Sequence, residues 1–217
     1  MPTFDVTDLP AIALSTSGVV PGPRLSYPAC LEQPNAGNTF AGSLIAQAWN
    51  DLPPWEEFLN RHLVRSIVEL GTFRGGMAIF LALQSGARQI HFVTMDANIE
   101  QIENPQFLKA LGATVVRANL FEESAVVAMG ELLEQLPKPV LLFCDNGNKR
   151  EEVRCFAPLL QAGDYLAVHD WGSEISAADI PPNMNLVWPE PPEASRLKRW
   201  FAVGRDAQAG DRLGGLE

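Results

Sequence analysis

Six short apolar runs divide the chain at near-regular intervals: SIVELG (66–71), QIHFVTMD (89–96), TVVRAN (114–119), PVLLFCD (139–145), DYLAVHD (164–170) and RWFAVGR (199–205). They are rich in β-branched and aromatic residues and mostly end in Gly, Asn or Asp, which is the pattern of strands buried on both faces. Between the first five lie stretches of helical periodicity, at Met77–Leu83, Pro105–Leu111, Ser124–Leu136 and Glu151–Leu160. Strands that alternate with helices form βαβ units, so the prediction is an α/β fold with a mostly parallel sheet and helices on both faces.

Upstream of this core (66–205), Phe40, Leu44, Ile45 and Trp49 fall at helical spacing and predict a first helix. Asp51 is expected to cap a second, with Pro53 and Pro54 in its first turn and Trp55, Phe58, Leu59, His62 and Leu63 on one face. The expected division is thus an irregular, proline-bearing arm over 1–40 and one domain over 41–217, made of N-terminal helices (41–64), the core and a flexible tail (206–217). The segment WPEPPEAS (188–195) reads as a loop.

Charge narrows the partners. With 16 basic against 26 acidic residues the net charge is −10, and no Lys/Arg stripe interrupts it, so a phosphate backbone is repelled and nucleic acid is not the expected substrate. A small molecule is. No apolar run approaches the ~18 residues of a membrane span, and the N-terminus lacks a basic region followed by an apolar core. Cys30, Cys144 and Cys155 are an odd number, read as reduced thiols in a cytoplasmic protein. A homo-oligomer is left open.

The chemistry begins at VELGTFRGG (68–76), where the first predicted strand passes into the first helix. Gly71, Gly75 and Gly76 let the backbone turn sharply and a ligand approach closely, although a purely structural turn needs the same residues. A dinucleotide loop reads G-x-G-x-x-G; here the order is E-x-G-x-x-x-G, with Glu69 inside the strand. That carboxylate has the wrong sign for a pyrophosphate and suits a ligand bearing an ammonium and a sulfonium. The second strand ends in Asp96, 25 residues after Gly71, where a carboxylate accepts hydrogen bonds from the two ribose hydroxyls of an adenosine, or else caps the following turn.

VELGTFRGG, TMDAN (94–98) and FCDNGN…FAPLLQAGDYLAVHDW (143–171) together resemble class I S-adenosylmethionine-dependent methyltransferases over roughly residues 55–205. Within that class the chain looks most similar to the small-molecule O-methyltransferases, the group of cephalosporin-hydroxylase-like proteins and macrolide sugar O-methyltransferases. The resemblance implies a Rossmann-like methyltransferase fold with an antiparallel last strand. It implies S-adenosylmethionine as cofactor, with Glu69, Gly71 and Gly75 at its methionine portion and Asp96 at the ribose. Asn119 and Leu120 would border the adenine, and the Asp145–Asn146 turn would lie at the methyl end.

A second group, Asp145, Lys149, His169 and Asp170, falls at the ends of the fourth and fifth predicted strands, where open parallel sheets bind ligands. Asp145, His169 and Asp170 are the donor types of a divalent-metal site, Mg²⁺ by the oxygens or Mn²⁺ by the imidazole. A cation there lowers the pKa of an acceptor hydroxyl. Without metal, His169 is the candidate general base, or Lys149 if burial depresses its pKa. The structural alternative makes Asp145 a cap and His169 a core residue. Trp171 could line the acceptor pocket, while Trp188, Trp200, His62 and His91 read as structural. The competing functions are a catalytically inactive relative of the same fold and a NAD-dependent oxidoreductase, the latter disfavoured by the glycine spacing and by the lack of a Tyr-x-x-x-Lys pair.

Overall fold

The computed structural model describes residues 37–188 and 198–204. All six predicted strands form, as β3 (Ser66–Leu70), β4 (His91–Asp96), β5 (Thr114–Arg117), β6 (Val140–Cys144), β7 (Tyr165–Val168) and β9 (Arg199–Val203). With a seventh strand, β8 (Met184–Trp188), they lie in one sheet of order β5-β4-β3-β6-β7-β9-β8. β3 to β7 pair in parallel, and β9 runs antiparallel to both β7 and β8. The seventh strand, β8 (Met184–Trp188), was not predicted, and it takes up the Trp188 expected in a loop.

The four core helices are α2 (Gly76–Arg88), α3 (Pro105–Ala110), α4 (Glu123–Gln135) and α5 (Lys149–Phe156). Alternation along the strands sorts the core into two layers. Ile67, Phe92, Leu141, Phe143, Tyr165 and Trp200 face α2 and the N-terminal α1 (Pro53–Arg61). Val68, Leu70, Val93, Leu142, Val168 and Phe201 face α4 and α5. A sheet covered on both sides explains why its strands are apolar nearly throughout.

Two expectations about the N-terminal part are corrected. Phe40 to Trp49 is not a helix but a two-stranded ribbon, β1 (Thr39–Phe40) and β2 (Ser43–Leu44), followed by a 3-10 turn at Trp49–Asp51. Ala41 and Gly42 both have positive φ, 48° and 84°, the backbone of a tight two-residue hairpin turn, which an α-helix cannot accommodate. The apolar spacing is satisfied by packing on α2 instead, with Phe40 edge-on to Phe80 at 5.5 Å. The ribbon comes so close that a Cβ on Gly76 would lie 2.5 Å from the Leu44 carbonyl oxygen. Asp51 does not cap α1, whose N-cap is Leu52; it is buried and faces Lys198. Most of the expected arm (1–36), the rest of the proline loop (189–195) and the tail lie outside the described residues. Among the described residues no helix is long and apolar enough to cross a membrane, and Cys144 and Cys155 are free thiols.

Candidate active site

The sheet changes direction at β3: the chain moves outward through β4 and β5 on one side, then through β6 and β7 on the other. Loops leaving the carboxyl ends of strands on either side of such a switch diverge and leave a crevice. Here it is a cleft of about 420 Å³ whose walls include Gly71, Thr72, Phe73, Asp96, Gln47, Asp145, Lys149, His169 and Asp170. The volume is that of a small-molecule site. A second groove, of about 720 Å³ along α1 and α2, lies away from the strand ends, and its Glu56 and Arg61 are already paired with Arg88 and Glu57.

The first half of the cleft is built by the glycine turn and β4. Gly71 has φ +100°, and a Cβ there would lie 2.7 Å from the Asp145 carbonyl oxygen, so only glycine lets β3 and β6 end side by side. The Gly71 amide donates to the Met95 carbonyl at 2.8 Å. Asp96, only 7% exposed, accepts from the Phe73 amide at 2.9 Å and from the Asn98 amide at 2.8 Å. It therefore ties the glycine loop to the end of β4 and also makes the local turn contact that the capping alternative foresaw.

Of the residues expected at the cofactor, Gly75, Asn119, Leu120 and Glu69 are not among those that wall the cleft. Gly75 is the N-cap of α2, between the cleft residues Phe73 and Gly76, its amide closed on the Thr72 carbonyl at 2.9 Å. Asn119 is turned away onto Glu122 at 2.9 Å, because it organises the turn into α4, and Leu120 is buried in the core. The adenine border assigned to that pair is not part of the cleft wall. Glu69 shares the Ile67 face of β3 and is fully buried rather than lining the cleft. It reaches the cleft through a relay: the Thr94 hydroxyl donates to Glu69 Oε2 at 2.7 Å and lies 2.6 Å from the hydroxyl of Thr72, on the cleft wall. Glu69 Oε1 has no partner.

Burial, reinforced by the Asp145 and Asp96 carboxylates and opposed by the Thr94 hydrogen bond, pushes the Glu69 carboxyl up from 4.5 to about 8. Between these values the unfolded chain has lost a proton that the folded chain keeps, so stability falls as pH rises through this window and levels above it. The stability difference between Glu69→Gln and the parent should therefore grow in favour of the variant from pH 4.5 to 8, at up to about 1.4 kcal/mol per pH unit. Denaturant melts at four pH values test this; a constant difference would mean that Glu69 enters the fold ionised.

The second half gathers the other predicted group. Asp145 follows β6, its amide donating to the Leu70 carbonyl at 3.0 Å, and His169 follows β7. His169 Nδ1 lies 2.9 Å from Asp145 Oδ1 and 3.3 Å from Asp170 Oδ2. Burial disfavours the imidazolium, but the two carboxylates hold its pKa above the ordinary value. Lys149, at the first turn of α5, extends its ammonium to 2.7 Å from Asp170 Oδ2, 3.3 Å from Glu174 and 3.8 Å from Asp145 Oδ1. The expectation that burial makes Lys149 a base is corrected. Burial does oppose its charge, but Asp145, Asp170 and Glu174 raise its pKa on balance, so the amine stays protonated.

Asp145, His169 and Asp170 offer ligand atoms within 4.8 Å of one another, of the right types for a divalent ion. An ammonium already bonds Asp170, and His169 turns Nδ1 onto Asp145 while its Nε2 is buried without a hydrogen-bond partner.

Sequence reasoning missed the support behind Asp145. Gln47 Nε2 donates to Asp145 Oδ2 at 2.7 Å, and Gln47 Oε1 accepts from the Lys198 ammonium. Lys198, fully buried, also pairs with Asp51 at 3.4 Å. No motif marks these residues; the only signal is a lysine flanking an apolar strand. Trp171 does not line the cleft but packs on Phe201 at 5.6 Å under Arg199. Trp200 is core, against Trp55 and Phe58, and His62 stacks on Phe58 at 4.5 Å.

A Rossmann-like sheet with an antiparallel end, a glycine turn after its central strand and an acid at the end of the neighbouring strand define the class I methyltransferase architecture. The family model described as rhamnosyl O-methyltransferase/CmcI matches residues 35–193, well over half of the chain, and the chain belongs to that family of O-methyltransferases. Among solved structures it is similar to CmcI holding SAH, at 17% identity and TM-score 0.50 over 61% of this chain and 66% of that one. It is also similar to CmcI holding Mg and SAM, at 15% identity and TM-score 0.53 over 70% and 68%. The chain thus spans about two thirds of the length of these structures. No curated protein sequence matches it.

Proposed function

We propose that this protein transfers a methyl group from S-adenosylmethionine to the hydroxyl oxygen of a small molecule. The observation that carries the reading is one cleft with two halves: a glycine turn held to Asp96 on one side, and the Asp145–His169–Asp170 cluster on the other. Asp96 would hold the ribose hydroxyls, the turn at Gly71 and Thr72 the methionine portion, and Glu69 the ammonium through the threonine relay. When bound, S-adenosylmethionine supplies a methyl on cationic sulfur, whose bonding pair stays on sulfur as the acceptor oxygen bonds the carbon. The chain's own part is chiefly orientation, which can supply several orders of magnitude. It also manages the acceptor proton. His169, whose Nδ1–H is held by two carboxylates that favour the charged imidazole, is the general base that takes that proton.

Calorimetry tests the reading. S-adenosylmethionine or its demethylated product should bind in the micromolar range and NAD should not bind; the reverse result would sink the proposal. Asp96→Ala should weaken cofactor binding by about 2–3 kcal/mol, the scale of charge-assisted hydrogen bonds. It should also lower the stability of the free protein by about 1–2 kcal/mol, because its carboxylate holds the Phe73 and Asn98 amides.

A further inference from the structure

The cluster at the acceptor end of the cleft poses a charge problem. Asp145, Asp170 and Glu174 bring three carboxylates together beside a buried imidazole, and like charges this close are held only if a cation sits among them. Among solved relatives of this fold, one CmcI structure carries Mg together with SAM. In this chain the place is served from within. Lys149 is only 4% exposed and touches all three carboxylates with a single ammonium, at 2.7, 3.3 and 3.8 Å. Its position follows from the sequence: four residues after Asp145, across the first turn of α5, it projects back over the end of β6.

We infer that Lys149 is the resident cation of this cluster and excludes a divalent ion from it, so that methyl transfer here needs no metal. The inference rests on the methyltransferase reading only for its last clause; the exclusion itself is a property of the apo cluster. A divalent ion bonded to Asp145 and Asp170 would have to share an oxygen with the ammonium or expel it from a buried position. Two cations a few ångströms apart at low dielectric repel strongly. The chemistry expected of a metal is kept in weaker form, because an ammonium bonded to Asp170 presents positive charge to the same corner of the cleft in which an acceptor oxygen loses its proton. Lys149 serves as a positioning residue for that charge and is no proton acceptor.

Mn²⁺ titration followed by electron paramagnetic resonance and calorimetry, with adenosylhomocysteine present and absent, distinguishes the possibilities. The parent should show no Mn²⁺ binding below the millimolar range, and neither should Lys149→Arg, which keeps the charge. Lys149→Ser should gain affinity by at least about a hundredfold, the consequence of removing one like charge at this distance. The gain should vanish in Lys149→Ser combined with Asp145→Asn. Micromolar Mn²⁺ binding by the parent, lost in Asp145→Asn, would overturn the inference. So would a folded Lys149→Ser that binds no more Mn²⁺ than the parent, since the donors would then be no metal site with or without the lysine. Adenosylhomocysteine affinity, measured on the same samples, reports separately on the methyltransferase reading and on folding of each variant.

Discussion

Gly71→Ala should destabilise the protein by about 3 kcal/mol or more and remove cofactor binding with it. Two independent costs add. The residue has φ +100°, a conformation that side chains rarely adopt, and its new Cβ would sit 2.7 Å from the Asp145 carbonyl oxygen and 2.8 Å from Asn146 Cα. Both are backbone atoms of the loop that carries Asp145, so relief requires β3 and β6 to part at their ends. That separation also loosens the Gly71–Met95 hydrogen bond and opens the cleft floor. Gly112→Ala is the control, because Gly112 has φ +82° with nothing within 4 Å of the built Cβ. It should cost only the backbone strain, about 1 kcal/mol. Urea unfolding of the two variants separates conformation from collision. Equal, small losses would mean that the strand ends yield freely and that Gly71 is no more than a turn residue.

The second large effect is expected far from the glycine turn. Lys198→Met should cost about 3–5 kcal/mol, the scale for breaking a buried pair by removing one partner. Lys198 is fully buried between Asp51 and Gln47, and burial itself lowers its pKa against the pull of Asp51 and Asp145. Removal takes the ammonium from Asp51, a buried carboxylate that also accepts from the Ala48 amide. Lys198→Met combined with Asp51→Asn should recover much of the loss, since no buried charge then remains. If the double variant is as unstable as the sum of the singles, the pair is not coupled and the cost lies in packing. Because Gln47 Nε2 holds Asp145, the single variant should also weaken the cluster at the acceptor end, seen as a shift in the His169 titration by NMR.

Much of this protein is legible along the chain. Strands buried on both faces must be apolar at almost every position, so the six runs stand out and their alternation with helices specifies a doubly covered parallel sheet. Open sheets bind ligands beyond the ends of such strands, and Gly71, Asp96, Asp145, His169 and Asp170, named without coordinates, lie together on the wall of a cleft there. Local periodicity also has limits. Phe40 to Trp49 had helical spacing, yet two positive φ angles and the close approach to Gly76 make a ribbon of it. The strand β8 is apolar except at Asn185, but Pro181, Pro182 and Pro189 flank it, and prolines read as loop.

What the sequence by itself determined is therefore the architecture and the residues that strand ends present, since both follow from periodicity and from turn chemistry, which are local. The tertiary structure alone decided what those residues do to one another. Glu69 is fully buried and hydrogen-bonded to Thr94, which neighbours Thr72; Lys149 lies among three carboxylates that raise its pKa; Asp51 looked like a helix cap and is the partner of a lysine 147 residues away. Charge and burial depend on neighbours that chain folding brings from anywhere. A pKa or an ion pair falls at 3 Å regardless of sequence separation, and no motif spacing records it.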